Sequence, residues 1–63
     1  MLFRDAIYDS LKEMEKNQAW LAKEAGVDRA VISRYMNRKR IPRADMFMMI
    51  CKILHIDPLS IEF

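Results

Sequence analysis

The sequence predicts an all-α fold, and three observations support this class. The 63-residue chain has one glycine and two prolines, fewer turn-forming residues than a small sheet protein needs. Its apolar residues recur at spacings of three and four, which is the period of an amphipathic helix. Hydrophobic residues make up 52% of the chain, which favours a folded domain over a disordered segment. We therefore expect one domain, residues 1–63, made of five short helices.

The first two helices are indicated by their apolar faces and by the residues at their ends. Helix one is predicted over residues 2–15, and its inward stripe is Phe3, Ile7, Leu11 and Met14. Helix two is predicted over Gln18–Ala25, and its inward residues are Leu21, Ala22 and Ala25. The side-chain oxygen of Asn17 can accept a backbone N–H at the start of helix two. Gly26 follows where a left-handed residue is needed to end that helix.

The third helix, residues 29–37, has two different faces. Asp28 precedes it and can act as its N-cap. The inward residues are Val31, Ile32 and Tyr35. Polar, cationic and small side chains line up at helical spacing on the other side. We call this side the cationic face, and its members are Arg29, Ala30, Ser33, Arg34 and Asn37. It is the candidate functional surface.

Two further helices follow a basic connection. Residues 38–42 end helix three, because Pro42 disfavours helical geometry in the residue before it. Helix four is predicted over Ala44–Leu54, with Asp45 favourable in its first turn. An Asp57-Pro58 pair is typical of an N-cap and a first helical position, so a fifth helix is predicted over residues 58–62.

Charge is unevenly distributed along the chain, although the net charge is only +2. Residues 28–43 contain six basic residues and one acidic residue, whereas the rest of the chain contains five basic and eight acidic residues. A basic segment on a mildly acidic body suggests a surface that binds a polyanion. The alternative is an ordinary solvated, charged face.

Several classes of protein are disfavoured. A lone cysteine, Cys51, cannot form an intramolecular disulfide, which indicates an intracellular and here cytoplasmic protein. The most apolar stretch, residues 46–51, is far shorter than the ~20 residues of a membrane-spanning helix. Cys51 and His55 lack a third metal ligand, so neither a metal nor another cofactor is expected. No enzyme is expected either, since no base with an orienting partner accompanies the hydroxyls of Ser10, Ser33 and Ser60.

The run NQAWLAKEAGVDRAVISRY, residues 17–35, combines a capped short helix, a glycine turn and a second short helix. Ala22 is small enough to let the second helix approach the first. This run resembles the lambda repressor and Cro-like helix-turn-helix family, and the resemblance continues through the basic connection to CKILHIDPLSI, residues 51–61. It implies a five-helix transcriptional regulator that binds double-stranded DNA as a dimer, with helix three in the major groove.

The resemblance also implies which residues contact DNA. Base edges are expected to meet Arg29, Ala30, Ser33 and Arg34. An arginine can donate two hydrogen bonds to guanine, and an alanine methyl can touch thymine. Arg29 and Arg34 could each hold a phosphate instead, because phosphate contacts outnumber base contacts in such interfaces. Phosphates are expected to meet Asn17, Gln18, Asn37, Arg38, Lys39, Arg40 and Arg43.

Two departures from the family pattern lead to structural predictions. The family often pairs an arginine with a glutamate at the positions of Leu11 and Met36. Both are apolar here, so we expect these two side chains to touch. The family's glycine after helix three corresponds to Arg38. Because Asn37 tolerates left-handed geometry better than arginine does, we expect the helix end to shift by one residue.

Apolar side chains in excess of the core indicate a protein interface. Helix four is expected to place Phe47 and Ile50 in the core. The remaining apolar residues predict a homodimer seam near helix five, formed by Met46, Met49, Leu59 and Phe63. The alternative is a protein-interaction module on the same scaffold, of antitoxin or antirepressor type. That module would use Trp20, as an exposed anchor, and the methionines of helix four. Trp20 could instead cover helix one or contact a DNA sugar.

Overall fold

The computed structural model describes residues 1–62, most of which lie in four α-helices. They are α1 (Phe3–Met14), α2 (Gln18–Ala25), α3 (Arg29–Met36) and α4 (Ala44–Leu54), and a short 3-10 turn follows at Pro58–Ser60. The predicted all-α class is confirmed, and the predicted bounds of these four helices are correct within one residue. Phe63, which was predicted at the dimer seam, lies outside the described residues.

The predicted fifth helix, residues 58–62, is wrong: the helical geometry ends with the 3-10 turn. Asp57 caps this turn as expected, since its carboxylate accepts the Leu59 N–H at 3.0 Å. Ile61 is already extended. The backbone of Glu62 then pairs with the start of the chain, accepting from the Phe3 N–H at 3.2 Å and donating to the Met1 carbonyl at 2.9 Å. These long-range bonds satisfy the backbone groups that a longer helix would have used.

The core takes one side chain with no exposed surface from each α-helix, namely Ile7, Leu21, Ile32 and Ile50. Helices α1 and α2 each pack against α3 and α4. The predicted inward residues of α2 are all buried, as are the first three of the α1 stripe. Phe47 is half-buried, with its ring centroid 5.2 Å from that of Phe3. Met36 packs against the cluster that contains Leu11, while direct contact between the two stays a prediction.

All four α-helices of the described chain end with a residue in left-handed geometry, and these residues are Glu15, Gly26, Arg38 and His55. The following residue donates its N–H to the carbonyl five positions earlier, as in the Val27 to Ala22 bond of 2.9 Å. This is the Schellman arrangement, which satisfies carbonyls that a helix end leaves free. The left-handed geometry predicted for Gly26 is confirmed, with φ of 72°.

The predicted shift of left-handed geometry from Arg38 to Asn37 is wrong. Asn37 has φ of −91° and Arg38 has φ of 58°. With Arg38 left-handed, its own N–H reaches the Tyr35 carbonyl at 3.1 Å and the Lys39 N–H reaches the Arg34 carbonyl at 2.9 Å. These two bonds to orphan carbonyls compensate for the backbone strain that the arginine side chain introduces.

The two predicted N-caps on either side of the helix turn differ. Asn17 caps α2 as expected, because its Oδ1 accepts the Trp20 N–H at 2.9 Å. The cap predicted for Asp28 is wrong, since its side chain makes no capping hydrogen bond. The Val31 N–H instead donates to the backbone carbonyl of Asp28 at 3.0 Å. The carboxylate of Asp28 remains exposed at the positive end of α3.

Candidate nucleic-acid interface

The turn between α2 and α3 fixes the position of α3. Helix α2 packs against α3, and its buried side carries the small side chains of Ala22 and Ala25, which are 3% and 7% exposed. Gly26 reverses the chain, and Val27 packs its side chain against the core. Ala22, the small residue predicted at the crossing of α2 and α3, is therefore buried. Helix α3 packs against both α2 and α1.

The two sides of α3 have opposite environments. Ile32 and Tyr35 are buried, and the Tyr35 ring lies 6.4 Å from the Phe3 ring between centroids. Arg29, Ala30 and Arg34 are exposed on the opposite side. The cationic face is therefore free to meet a ligand along most of its length.

The arginines of the cationic face have no acidic partner in the part of the chain that the structure describes. Neither Arg29 nor Arg34 lies within ion-pair distance of a carboxylate there. An unpaired, solvated guanidinium can exchange water for a phosphate or a base edge without first breaking an internal salt bridge. The face thus combines positive charge with fork-shaped hydrogen-bond donors.

Ser33 and Asn37, both predicted DNA contacts, are joined to each other. The Asn37 Nδ2 donates to the Ser33 Oγ at 3.3 Å. Ser33 is half-buried, whereas Asn37 is exposed. The bond orients the Asn37 amide along the helix surface and leaves the serine hydroxyl hydrogen available for donation.

The connection between α3 and α4 presents a row of exposed cations, and they are Arg38, Lys39, Arg40 and Arg43. Pro42 is buried between them and fixes this segment to the body of the protein. Arg43 Nε lies 3.9 Å from Asp45 Oδ1, with both side chains at least 80% exposed. An exposed pair at that distance contributes little, so Arg43 remains available to an external anion.

The start of α2 lies at the other predicted phosphate position. Asn17 uses its side-chain oxygen as a cap, which leaves its amide hydrogens for an external acceptor. Gln18 beside it is half-buried. Sequence analysis missed Lys16, whose Nζ lies 5.5 Å from the centroid of the Trp20 ring. Lys16 precedes α2, so the four-residue spacing that pairs side chains within one helix does not predict this contact.

Trp20 is not the exposed anchor that one interpretation required. It is half-buried and packs against the core cluster. The indole therefore covers apolar residues of its own chain and supports Lys16 near the start of α2. This outcome weakens the proposal that a partner protein binds through Trp20.

Helix α4 and the 3-10 turn form a shallow apolar groove of about 550 Å³. Met48 and Met49 line it and are 53% and 45% exposed, and Leu59 in the 3-10 turn is 94% exposed. Met46 is half-buried against the core, so it offers less surface than predicted. Met48, which was not assigned to the seam, offers more. Asp45 and Lys52 supply opposite charges at the same groove.

Cys51 lies in α4 with 2% of its surface exposed, so its side chain is part of the core. Burial raises the pKa of its thiol above the ordinary 9.0, and the carboxylate of Asp57 raises it further. The thiol is consequently protonated at neutral pH. Residues 1–62 contain no group of three His, Cys, Asp or Glu side chains arranged to hold a metal ion. None of their helices is long and apolar enough to cross a membrane.

The fold and the exposed cationic face define a small helix-turn-helix domain. A family model described as helix-turn-helix, of the Cro and C1 type, matches residues 7–61. The chain belongs to this helix-turn-helix family, which confirms the resemblance found in residues 17–35. It is a family of DNA-binding transcription regulators. No curated protein and no solved structure matches the chain significantly.

Proposed function

We propose that this chain is a sequence-specific transcriptional regulator of the Cro or repressor type, with residues 1–63 as one DNA-binding domain. The exposure of Arg29 and Arg34 on the outward side of α3 is the observation that carries the proposal. Helix α3 has eight residues, and an α-helix with its side chains is about 10–12 Å across, which the major groove of about 12 Å width admits. Helix α3 therefore fits the groove without other parts of the chain blocking its outward side.

The base contacts come from the first two turns of α3. Arg29 and Arg34 each donate to guanine O6 and N7, and the Ala30 methyl contacts thymine. Ser33 contributes its hydroxyl hydrogen. A bidentate arginine is worth about 1–3 kcal/mol of discrimination against the wrong base pair.

The phosphate contacts frame α3 on both sides. On one side lies the start of α2, with Asn17 and Gln18. On the other lie the end of α3 and the basic connection, with Asn37, Arg38, Lys39, Arg40 and Arg43. The four cations among these residues neutralise about four phosphates, which predicts a slope of about −4 for the logarithm of the binding constant against the logarithm of salt concentration.

The experiment selects bound duplexes from a random pool and then measures variants on the selected site. Arg34→Ala should relax the preference at one base pair, whereas Lys39→Ala should weaken all duplexes about equally and reduce the salt slope by about 1. Lys12→Ala removes an exposed cation from α1, away from the cationic face, and should change neither property. Equal, sequence-independent losses for Arg34→Ala and Lys39→Ala would contradict the assignment of base contacts to α3.

We also propose that the regulator binds a two-fold symmetric operator as a homodimer, with half-sites about one helical turn apart. The groove on α4 supports this, because exposed Met48 and Met49 line it, and the almost fully accessible Leu59 that follows lining residue Pro58 can enter the groove of a second copy. In a two-fold arrangement Asp45 of each copy can face Lys52 of the other. The predicted seam residues Met46, Met49, Leu59 and Phe63 remain part of this proposal, to which we add Met48.

The dimer is tested by sedimentation equilibrium of Leu59→Glu. Placing a carboxylate where an apolar side chain is buried should weaken dimer association at least about tenfold. Tyr8→Glu adds the same charge at an exposed apolar residue of α1 and should leave the dimer intact. Identical association of the two variants would exclude this groove as the seam.

The same groove is the feature that favours the other candidate, an antitoxin or antirepressor type of interaction module. Trp20 supports that candidate less, since it is half-buried. Measuring the binding of random duplex DNA distinguishes the transcriptional regulator from the interaction module. The regulator binds such DNA with a steep salt dependence, whereas a pure interaction module binds it weakly at every salt concentration.

A further inference from the structure

A cavity of about 290 Å³ opens between the start of α1, the end of α3 and the connection to α4. Phe3 and Tyr35 line it with 4% and 6% of their surfaces exposed, and buried Pro42 lies beside them. Leu2 and Ile41 extend the apolar lining towards solvent. Small-molecule sites span roughly 300–1,000 Å³, so this cavity suits one aromatic ring system or a short acyl chain.

Four charged residues also line the cavity: the cationic Arg4, Arg38 and Arg40, and the acidic Glu62. Arg38 and Arg40 form no ion pair with a carboxylate of residues 1–62. Arg4 Nε lies 3.8 Å from Asp5 Oδ1, with both side chains about half exposed, so that pair is weak. The excess of guanidinium groups favours an anionic ligand.

We propose that this cavity binds a small carboxylate that carries an aromatic ring or a short apolar chain. Phe3, Tyr35 and Pro42 contact the apolar body of the ligand. The arginines donate paired N–H groups to its carboxylate, a geometry for which guanidinium is suited. Apolar lining and cationic groups are both required, which distinguishes this ligand from a free inorganic anion.

The site also regulates DNA binding, an inference that rests on the proposed function. Arg38 and Arg40 are two of the proposed phosphate contacts. A carboxylate held by these arginines competes with DNA phosphates for the same donors. Because binding couplings are reciprocal, the ligand lowers the affinity for DNA by the same factor by which DNA lowers the affinity for the ligand.

The first experiment titrates 2-naphthoate into the full chain and follows backbone amide shifts by NMR. We expect a dissociation constant of about 1 mM or tighter, with the largest shifts at Leu2 and Ile41. The uncharged analogue 2-naphthamide should bind at least about tenfold more weakly. Equal affinity for the acid and the amide would overturn the proposal, as would inorganic phosphate binding as well as 2-naphthoate.

Two variants assign the binding to this cavity. Arg4→Gln should weaken 2-naphthoate about fivefold or more, whereas Lys12→Gln removes the same charge from α1 outside the cavity and should have no effect. Ile41→Asp places a carboxylate in the lining, at a side chain 68% exposed, and should abolish binding without unfolding the chain. Unchanged affinity in Arg4→Gln and Ile41→Asp would overturn the proposal.

The second experiment measures duplex DNA affinity with and without 2-naphthoate at constant ionic strength. Arg4 lies outside the proposed DNA contacts, so Arg4→Gln should bind DNA normally yet lose the effect of the ligand. Ligand binding that leaves DNA affinity unchanged would overturn the coupling alone. A chain that binds 2-naphthoate but no duplex DNA would overturn the proposed function and leave the cavity assignment supported.

Discussion

Helices α2 and α3 end in the same backbone arrangement but use different residues for it. After α2 the left-handed residue is Gly26, and after α3 it is Arg38. The first turn holds two helices together across Ala22, whereas the second begins an exposed basic connection. Glycine avoids strain where the sequence serves packing alone. At Arg38 the chain carries the strain of a side chain in left-handed geometry, at a position that we propose contacts a DNA phosphate.

The largest effect is expected from a variant that tests how closely α2 and α3 pack. Ala22→Leu adds three carbons where α3 approaches α2 and should lower the free energy of unfolding by about 2–3 kcal/mol. Urea denaturation followed by circular dichroism measures the change. Ala19→Leu is the matched control, because Ala19 is exposed on the same helix and should stay within about 0.5 kcal/mol of the wild type. Similar losses in both variants would show that the crossing is not specially tight.

Gly26→Ala tests whether the left-handed backbone geometry after α2 requires glycine. A Cβ at this glycine would meet no atom within 4 Å, so the added methyl group causes no clash. The strain of a side chain at φ of 72° should therefore account for the whole effect, a decrease of about 1 kcal/mol in the free energy of unfolding. Wild-type stability in the same urea denaturation would mean that this turn does not require glycine.

Arg38→Gly is the reverse change and should have two opposite effects. Removing the Cβ relieves the strain at φ of 58°, which should raise the free energy of unfolding by about 0.5–1 kcal/mol after the entropy of the unfolded chain is allowed for. Losing a proposed phosphate contact should weaken duplex DNA binding and reduce the salt slope by about 1.

Glu15→Gly separates these two effects. Glu15 has nearly the same geometry at the end of α1, with φ of 57°, and is not a proposed DNA contact. This variant should gain similar stability and keep its DNA affinity. If Arg38→Gly also kept full DNA affinity, the strained arginine would have no role in DNA binding.

Whether a sequence-based prediction was correct depended largely on how local the underlying interactions are. Gly26 and Asn17 were correctly assigned because their roles depend on a few neighbouring residues. The prediction that Arg38 would avoid left-handed geometry was wrong. Its backbone geometry depends on the balance between side-chain strain and two backbone hydrogen bonds, and residue preferences alone do not include those hydrogen bonds. The pairing of Glu62 with the start of the chain and the position of Arg4 in the cavity depend on contacts between the two ends. No periodic pattern encodes such contacts.

The last comparison concerns the two residues that precede α2 and α3, and it includes the smallest effect that we expect. Asn17 makes a 2.9 Å capping bond and Asp28 makes none. Asn17→Ala should therefore cost about 1 kcal/mol of unfolding free energy. Asp28→Ala loses only the attraction of an exposed carboxylate to the positive end of α3, about 0.3–0.5 kcal/mol at low salt.

Salt dependence distinguishes the capping hydrogen bond of Asn17 from the charge attraction of Asp28, because salt screens a charge attraction but not a neutral hydrogen bond. Raising the salt concentration in the urea denaturation should erase the loss in Asp28→Ala while leaving the loss in Asn17→Ala. Removing the acid should also strengthen DNA binding slightly, since Asp28 is the one acidic residue among residues 28–43. A loss of about 1 kcal/mol in Asp28→Ala that persists at high salt would mean that its side chain caps α3 in solution.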